Sequence, residues 1–248
     1  RPGRPAQRRP GRMIVVQEVH DVAGRDEDAF DLALRDSWAP ALAESGEARL
    51  VWALRQAHGT GASYRVITYT AVRSAEAWGR LAERIAGGDL RAVVDGLDRY
   101  RHGATASLLR PVSWSPLQEI DLDAVPEPDE SAPASLFMED TAYPFREHLE
   151  DYLAQAGQLY AGMLAEGAER GTSMLEMVAA FQPLWGTGPW RQVVLWQRVT
   201  NPDHLMAMFS MEVPAKFRAP GTWMHDALEL RDQWESRLLR TLPWSPLR

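Results

Sequence analysis

The sequence predicts an α+β fold in which two tandem βαββαβ repeats pack their antiparallel sheets into one barrel within a single chain. Three observations predict it. "GTGASYRVITY" (Gly59 to Tyr69) and "GTGPWRQVVLW" (Gly186 to Trp196) write nearly the same turn and strand twice, with the glycines 127 residues apart. "WAPALAE" from Trp38 resembles "YAGMLAE" from Tyr160, 122 residues on, and "LLRPVSWSPL" from Leu108 resembles "LLRTLPWSPL" from Leu238, 130 residues on. Three matches in one order mark a duplication of a unit too long to be a solenoid repeat. The strands "LVWAL", "RVITY" and "QVVLW" are apolar at successive positions, so both faces of each sheet need cover. Helices cover one face. The other repeat must cover the second, because one repeat alone would expose an apolar sheet of roughly several hundred Å².

Taken in order, Met13 to Val19 reads as a β-branched strand. Acids at Asp26 to Asp28 suit a helix start. Phe30, Leu34, Trp38 and Ala41 or Leu42 then recur at helical spacing. Leu50 to Leu54 is a second strand, Gly59 and Gly61 a turn, and Tyr64 to Val72 a third strand paired as a hairpin. Ser74 caps the next helix, "DLRAVVDGLDRY" continues it, and Ala104 to Val112 is the last strand. In the second copy Leu136 to Thr141 is a strand. Pro144 opens a helix with Phe145, Leu149, Tyr152, Leu153, Ala156 and Tyr160 on one stripe. Met174 to Gln182 and Arg191 to Val199 form the hairpin. Asn201 caps a helix whose first residue is Pro202, Trp223 to Arg237 is read as helix, and Leu238 to Leu242 closes the sheet. The repeats are thus 13–117 and 135–248. Between them 118–134 holds six acids and three prolines and reads as an extended linker. Trp114 and Trp244, in the repeated "WSPL", read as packing residues.

Residues 1–12 carry five arginines and three prolines and read as a disordered basic leader. They leave 22 basic residues against 34 acids, an acidic body that argues against nucleic acid as partner. No apolar run approaches the roughly twenty residues that cross a bilayer, and no secretory signal is seen, so no membrane partner and a cytoplasmic location are expected. The absence of cysteine excludes disulfides, thiolate metal sites and cysteine nucleophiles.

"VVLWQRVTNPDHL", a Val- and Trp-containing strand running into a capped helix, and its counterpart "VITYTAVRSAEAW" resemble the dimeric α/β-barrel superfamily of ferredoxin-like repeats in a tandem form. The chain is similar to the antibiotic-biosynthesis monooxygenase-like, EthD-like and NIPSNAP-like groups over nearly all of 13–248. The resemblance implies the fold. It leaves activity open among cofactor-independent oxygenases, lyases, isomerases, haem enzymes and proteins without chemistry. Tandem haem members use an axial histidine in the second half, and that motif does not map onto His148, His204 or His225.

Glu18 and His20 lie two apart on one strand and so share a face, with Glu139 or Asp140 at the comparable place in the second copy. A carboxylate facing an apolar cavity has its pKa raised by desolvation and can serve as a general base. These four are the candidate catalytic residues. Tyr64, Tyr69, Trp185, Trp190 and Trp196, with the post-turn arginines Arg65 and Arg191, are candidate ligand-lining residues. Glu18, His20, His58 and His102 lack metal-site spacing, and no metal is expected. The expectation is a small-molecule enzyme with an apolar barrel cavity. It would act on an aromatic or polyketide-like compound as a monooxygenase, cyclase or isomerase, without a tightly bound cofactor. A non-catalytic NIPSNAP-like binding or assembly protein is the alternative, and a haem-binding protein a third reading. Closure within one chain removes the need for a dimer, although helix faces could pair copies into a homo-oligomer.

Overall fold

The computed structural model describes residues 13–129, 133–189 and 191–248. Residues 1–12 and Trp190 lie outside the described residues.

The first repeat runs β1 (Ile14–Val22), α1 (Glu27–Ala33), α2 (Ala39–Glu44), β2 (Ala48–Gln56), β3 (Arg65–Val72), α3 (Ala75–Gly87), α4 (Arg91–Leu97) and β4 (Arg101–Pro111). The second runs β5 (Leu136–Tyr143), α5 (Leu149–Gln155), α6 (Ala161–Glu169), β6 (Leu175–Pro183), β7 (Val193–Val199), α7 (Pro202–Phe209), α8 (Trp223–Asp226) and β8 (Gln233–Thr241). A π-helical turn joins α1 to α2 at Leu34–Trp38, and another joins α5 to α6 at Ala156–Tyr160. They fall 122 residues apart, so even this irregularity is duplicated. The expected caps form: Ser74 accepts from the Ala77 N–H and Asn201 from the His204 N–H.

Eight antiparallel strands close a hydrogen-bonded ring in the order β1-β3-β2-β8-β5-β7-β6-β4. Two short seams join the repeats. Leu54, Arg55 and Gln56 pair with Thr241, Arg240 and Leu239, and Leu109, Arg110 and Pro111 pair with Pro183, Gln182 and Phe181. Beyond the seams the first halves of β4 and β8 pair on one side only. Alternate residues of each strand point into the barrel. Its interior is filled by Val15, Val51, Trp52, Leu54, Ile67, Tyr69, Phe137, Phe181, Val194 and Trp196, among others. The other face of each half-sheet packs under its own helices, giving two further cores. The apolar runs therefore did need cover on both sides.

The repeated "WSPL" segments are exchanged between the halves. Trp244 sits in the core beneath the first repeat's helices. Trp114 packs beside the second repeat's helices, donates its indole N–H to the Leu153 carbonyl at 2.8 Å and lies against Gly157. A Cβ on Gly157 would come within 2.6 Å of the indole, so this contact requires glycine. Ser245 Oγ accepts from the Ala53 N–H at 3.1 Å, and Ser115 Oγ accepts from the Ala180 N–H at 2.9 Å. Each bond falls just past a bulge in the other repeat's second strand. Each half thus completes the other's sheet.

Some expected bounds are corrected. Trp223 to Arg237 is not one helix. It holds α8 and a short 3-10 turn at Ala227–Glu229, and β8 begins at Gln233. Gln233 to Ser236 are all exposed, so burial imposes no two-residue alternation that would mark this end of the strand. β4 begins at Arg101 rather than Ala104, and the helix expected from Pro144 begins at Leu149. The segment read as an extended linker buries Leu122 and Val125 against the barrel core, and Arg49 donates to the Leu122 carbonyl at 3.1 Å. Two apolar side chains among the acids were enough to dock it.

Candidate functional site

The predicted carboxylates fall into three buried groups: one under the helices of each repeat and one inside the barrel. The strand register assigns every predicted carboxylate. Glu18 lies across from Thr68, and Asp140 across from Leu195; Gln17 lies across from Tyr69, and Glu139 across from Trp196. Asp140 is therefore the counterpart of Glu18. Glu139 is the counterpart of Gln17 and points into the barrel instead.

In the first crevice His20 Nε2 is 3.0 Å from Thr68 Oγ1, and its Nδ1 is 2.7 Å from Arg101 Nη1. Thr68 is also the cross-strand partner of Glu18. Arg101 is anchored by Asp98 at 2.7 Å, and the Phe30 ring lies 5.2 Å from the imidazole, centroid to centroid. Burial pushes the Glu18 carboxyl up, against the opposing pull of Arg101 and Thr68. Burial and the Arg101 charge push His20 down to about 3. Glu18 still keeps part of its surface accessible. Its neighbour across β4 is Ala106, and that of His20 is Ala104. Both alanines are exposed on the same sheet face, so the crevice is open along β4.

In the second crevice Asp140 accepts from Ser236 Oγ at 2.5 Å and from Gln197 Nε2 at 2.8 Å, and Tyr160 donates to Gln197 Oε1 at 2.5 Å. Burial raises the Asp140 carboxyl and raises the Tyr160 hydroxyl well above its usual value. Arg231 stands 5.4 Å from the Trp234 ring, 5.9 Å from Trp223 and 6.0 Å from Tyr152. Asp140 is 4% exposed.

Inside the barrel Glu139 accepts from Gln17 Nε2 at 2.8 Å, from the Tyr69 hydroxyl and from Arg237, whose Nε is at 3.0 Å. Burial and the Glu139 charge raise Tyr69 well above its usual pKa. The rings of Trp52, Tyr69, Phe137 and Trp196 pack with centroids 4.5 to 6.4 Å apart. This corrects the expected barrel cavity, because the bulky strand residues of both repeats meet in the middle and fill it.

The predicted lining residues are dispersed. Tyr69 and Trp196 are core residues of the barrel. Trp185 is 77% exposed on its hairpin. Tyr64, half-exposed, lies against Gly24. Arg65 pairs with Asp21 at 3.1 Å. Arg191 is not the counterpart of Arg65. Tyr64 and Arg191 share the left-handed backbone, with φ of 57° and 71°, so these two are equivalent. A depression of about 380 Å³ beside α5, lined by His148, Asp151, Gln155 and Glu229, holds none of the predicted residues.

Sequence reasoning missed Arg101, Arg231, Thr68, Gln197 and Tyr160. A signal existed for the arginines. The 130-residue spacing that aligns the two "LLR" runs, carried upstream, aligns Arg101 with Arg231. Among the described residues no group of three or more His, Asp or Glu is placed to hold a metal ion. Nor do the histidines of the second half suit haem. His148 pairs with Asp151 and His225 with Asp226, His204 is exposed, and Tyr152, Tyr160 and Trp223 stack under the helix. No described helix is long and apolar enough to cross a membrane.

No family model and no curated protein matches the chain. Solved structures do. A candidate monooxygenase from Lactobacillus acidophilus aligns with a TM-score of 0.53 at 8% identity, over 92% of this chain and 94% of that one. An anthrone oxidase-like protein aligns at 0.54 and 9% identity, over 93% and 91%. A chlorite dismutase from Candidatus Nitrospira defluvii, in complex with imidazole, aligns at 0.51 and 8% identity, over 94% and 92%. These likenesses show that the chain shares the fold of those proteins along nearly its whole length.

Proposed function

We propose that the protein is a small-molecule enzyme that removes a proton from an aromatic or polyketide-like carbon acid in the crevice of the first repeat, with Glu18 as the base and no resident cofactor. One observation carries the reading. Of the predicted carboxylates, Glu18 is the one whose affinity for a proton is raised by burial while part of its surface remains accessible, beside Ala104 and Ala106. A base needs both properties: a pKa drawn toward neutrality and access to the proton it takes. Asp140 has the first without the second.

Anthrone is a suitable probe, and the anthrone oxidase-like neighbour guides that choice. Its methylene is acidified by the ketone and flanking rings. Loss of one methylene proton to Glu18 leaves a carbanion that dioxygen traps as a hydroperoxide. Loss of water from that hydroperoxide yields anthraquinone, so dioxygen is the oxidant and one of its atoms leaves as water. Oxygen uptake above the uncatalysed background is expected. Glu18→Gln should lower it about a thousandfold, within the range of general base catalysis. Uptake equal in the two proteins would remove Glu18 from the reaction.

A second reading, a non-catalytic binding or assembly protein, is favoured by the filled barrel and by Met206, Phe209, Met211 and Phe217, exposed on α7 and just beyond it. It is distinguished by self-association on sedimentation, without turnover of the probe.

A further inference from the structure

We infer that His20 is a positioning residue and not an acid or base: between Arg101 and Thr68 it forms a hydrogen-bond chain with every donor direction fixed, which ends on Glu18 and holds it as a proton acceptor. The inference deepens the reading of Glu18 as the base and rests on it.

The directions follow from the donor inventory of the side chains. A guanidinium only donates, so His20 Nδ1, 2.7 Å from Arg101 Nη1, must be the nitrogen without a proton. The proton of the neutral ring is then on Nε2, which donates to Thr68 Oγ1 at 3.0 Å. The Thr68 oxygen accepts that bond, so its own proton is free to point toward Glu18, its cross-strand neighbour on the same sheet face. Asp98 at 2.7 Å fixes the far end by holding Arg101. The groups facing His20 are thus Arg101 from β4, Thr68 from β3 and the apolar Phe30 ring from α1, with Glu18 two residues away on the same face of β1. The imidazole has no ring nitrogen left to take a proton from a substrate. On this proposal the two predicted residues divide the work: Glu18 takes the proton and His20 positions it.

The second repeat supports this independently. The counterpart of His20 there is Ala142, which faces Trp234 as His20 faces Ala104, and the counterpart of Thr68 is Leu195. The chain is missing in the repeat whose carboxylate is sealed, and present where the carboxylate is reachable.

The test is nitrogen NMR on the full chain with ¹⁵N-labelled histidine. His20 is expected as the neutral tautomer, Nε2 protonated and Nδ1 bare, from pH 8 down to pH 4. Arg101→Leu should release Nδ1 and move the titration of the ring toward the ordinary 6.5. A proton found on Nδ1, or an imidazolium at pH 6, overturns the inference. With anthrone, His20→Gln should keep most of the turnover, since an amide can accept from Arg101 and donate to Thr68. His20→Leu should lower kcat about tenfold to a hundredfold with little change in KM. It should also raise the apparent pKa of the acid limb, because Thr68 no longer favours ionised Glu18. If His20→Leu fails to fold, the tautomer of the wild-type ring decides the matter. The expected tautomer with no oxygen uptake would sink the reading of Glu18 as a base but leave the chain standing.

Discussion

Glu18 and Asp140 stand at equivalent points of β1 and β5, and Arg101 and Arg231 lie near them at equivalent distances along the sequence. The two crevices began as copies and differ in what covers them. In the first, the β4 residues facing His20 and Glu18 are Ala104 and Ala106. In the second, the β8 residues facing Ala142 and Asp140 are Trp234 and Ser236. The hydroxyl of Ser236 bonds the Asp140 carboxylate, and the Trp234 ring meets Arg231, so the second carboxylate is closed off. Duplication supplied two buried acids. Two side chains on each closing strand decide which of them a substrate can reach.

Within this comparison, exchanging a cover should have the largest effect. Ala104→Trp should place an indole beside Glu18 at the position that Trp234 holds in the second repeat. Ala104 is exposed and makes no core contact, so the fold should hold while anthrone turnover drops about a hundredfold. Asp140→Asn, in the closed crevice, should leave turnover within about threefold, consistent with a group that meets no reacting atom. Circular dichroism checks the fold and oxygen uptake checks the activity. Full activity in Ala104→Trp would place the reaction elsewhere, and a large loss in Asp140→Asn would move it to the second repeat.

The barrel interior gives the next effect, and it concerns stability. Gln17 and Glu139 are equivalent positions that touch at 2.8 Å, so the duplication meets itself at the centre of the barrel. Only one of the two is charged. Glu139→Leu would leave Arg237, Gln17 and the Tyr69 hydroxyl without their shared acceptor. Breaking one partner of a buried pair costs about 3 kcal/mol or more. Gln17→Leu removes a neutral donor only and should cost about 1 kcal/mol. Urea unfolding of both variants measures the difference, and equal costs would mean that the Arg237–Glu139 pair adds nothing beyond a neutral hydrogen bond.

The architecture was legible because it is periodic. The repeated GTG turns, whose first glycines Gly59 and Gly186 have φ of 81° and 80°, and strands apolar on both faces carried the repeat and the closure. Glu18, His20 and their shared face followed from the two-residue period of a strand. The aromatic residues misled. Trp196 and Tyr69 were assigned to a pocket because a sequence shows that a ring is large but not that its equivalent will press against it, here at 4.7 Å. Arg101 and Arg231 were hidden for a different reason. An arginine just before a strand reads as a surface charge, and only the register brings it back over the carboxylate. The start of β8 was lost because Gln233 to Ser236 lies on an edge where no alternation is enforced by burial.

Removing the second cover should have the smallest effect, with a pH dependence that identifies its cause. Trp234→Ala deletes a half-exposed ring and its contact with Arg231, worth about 1 kcal/mol. It also lets water reach Asp140. Burial raises that carboxyl above the ordinary 3.8, so the folded wild type binds a proton more readily than the unfolded chain does. Its contribution to stability is therefore greatest below pH 3.8 and declines as pH rises through the raised folded value. In Trp234→Ala the ionised carboxylate is solvated and much of that decline disappears. The substitution should then cost its full amount near pH 3.5 and clearly less at pH 7, as read by urea unfolding at the two values. A cost that instead grows toward neutral pH would show that the indole stabilises the ionised carboxylate. The cover over the second crevice would then be part of a working site rather than its closure.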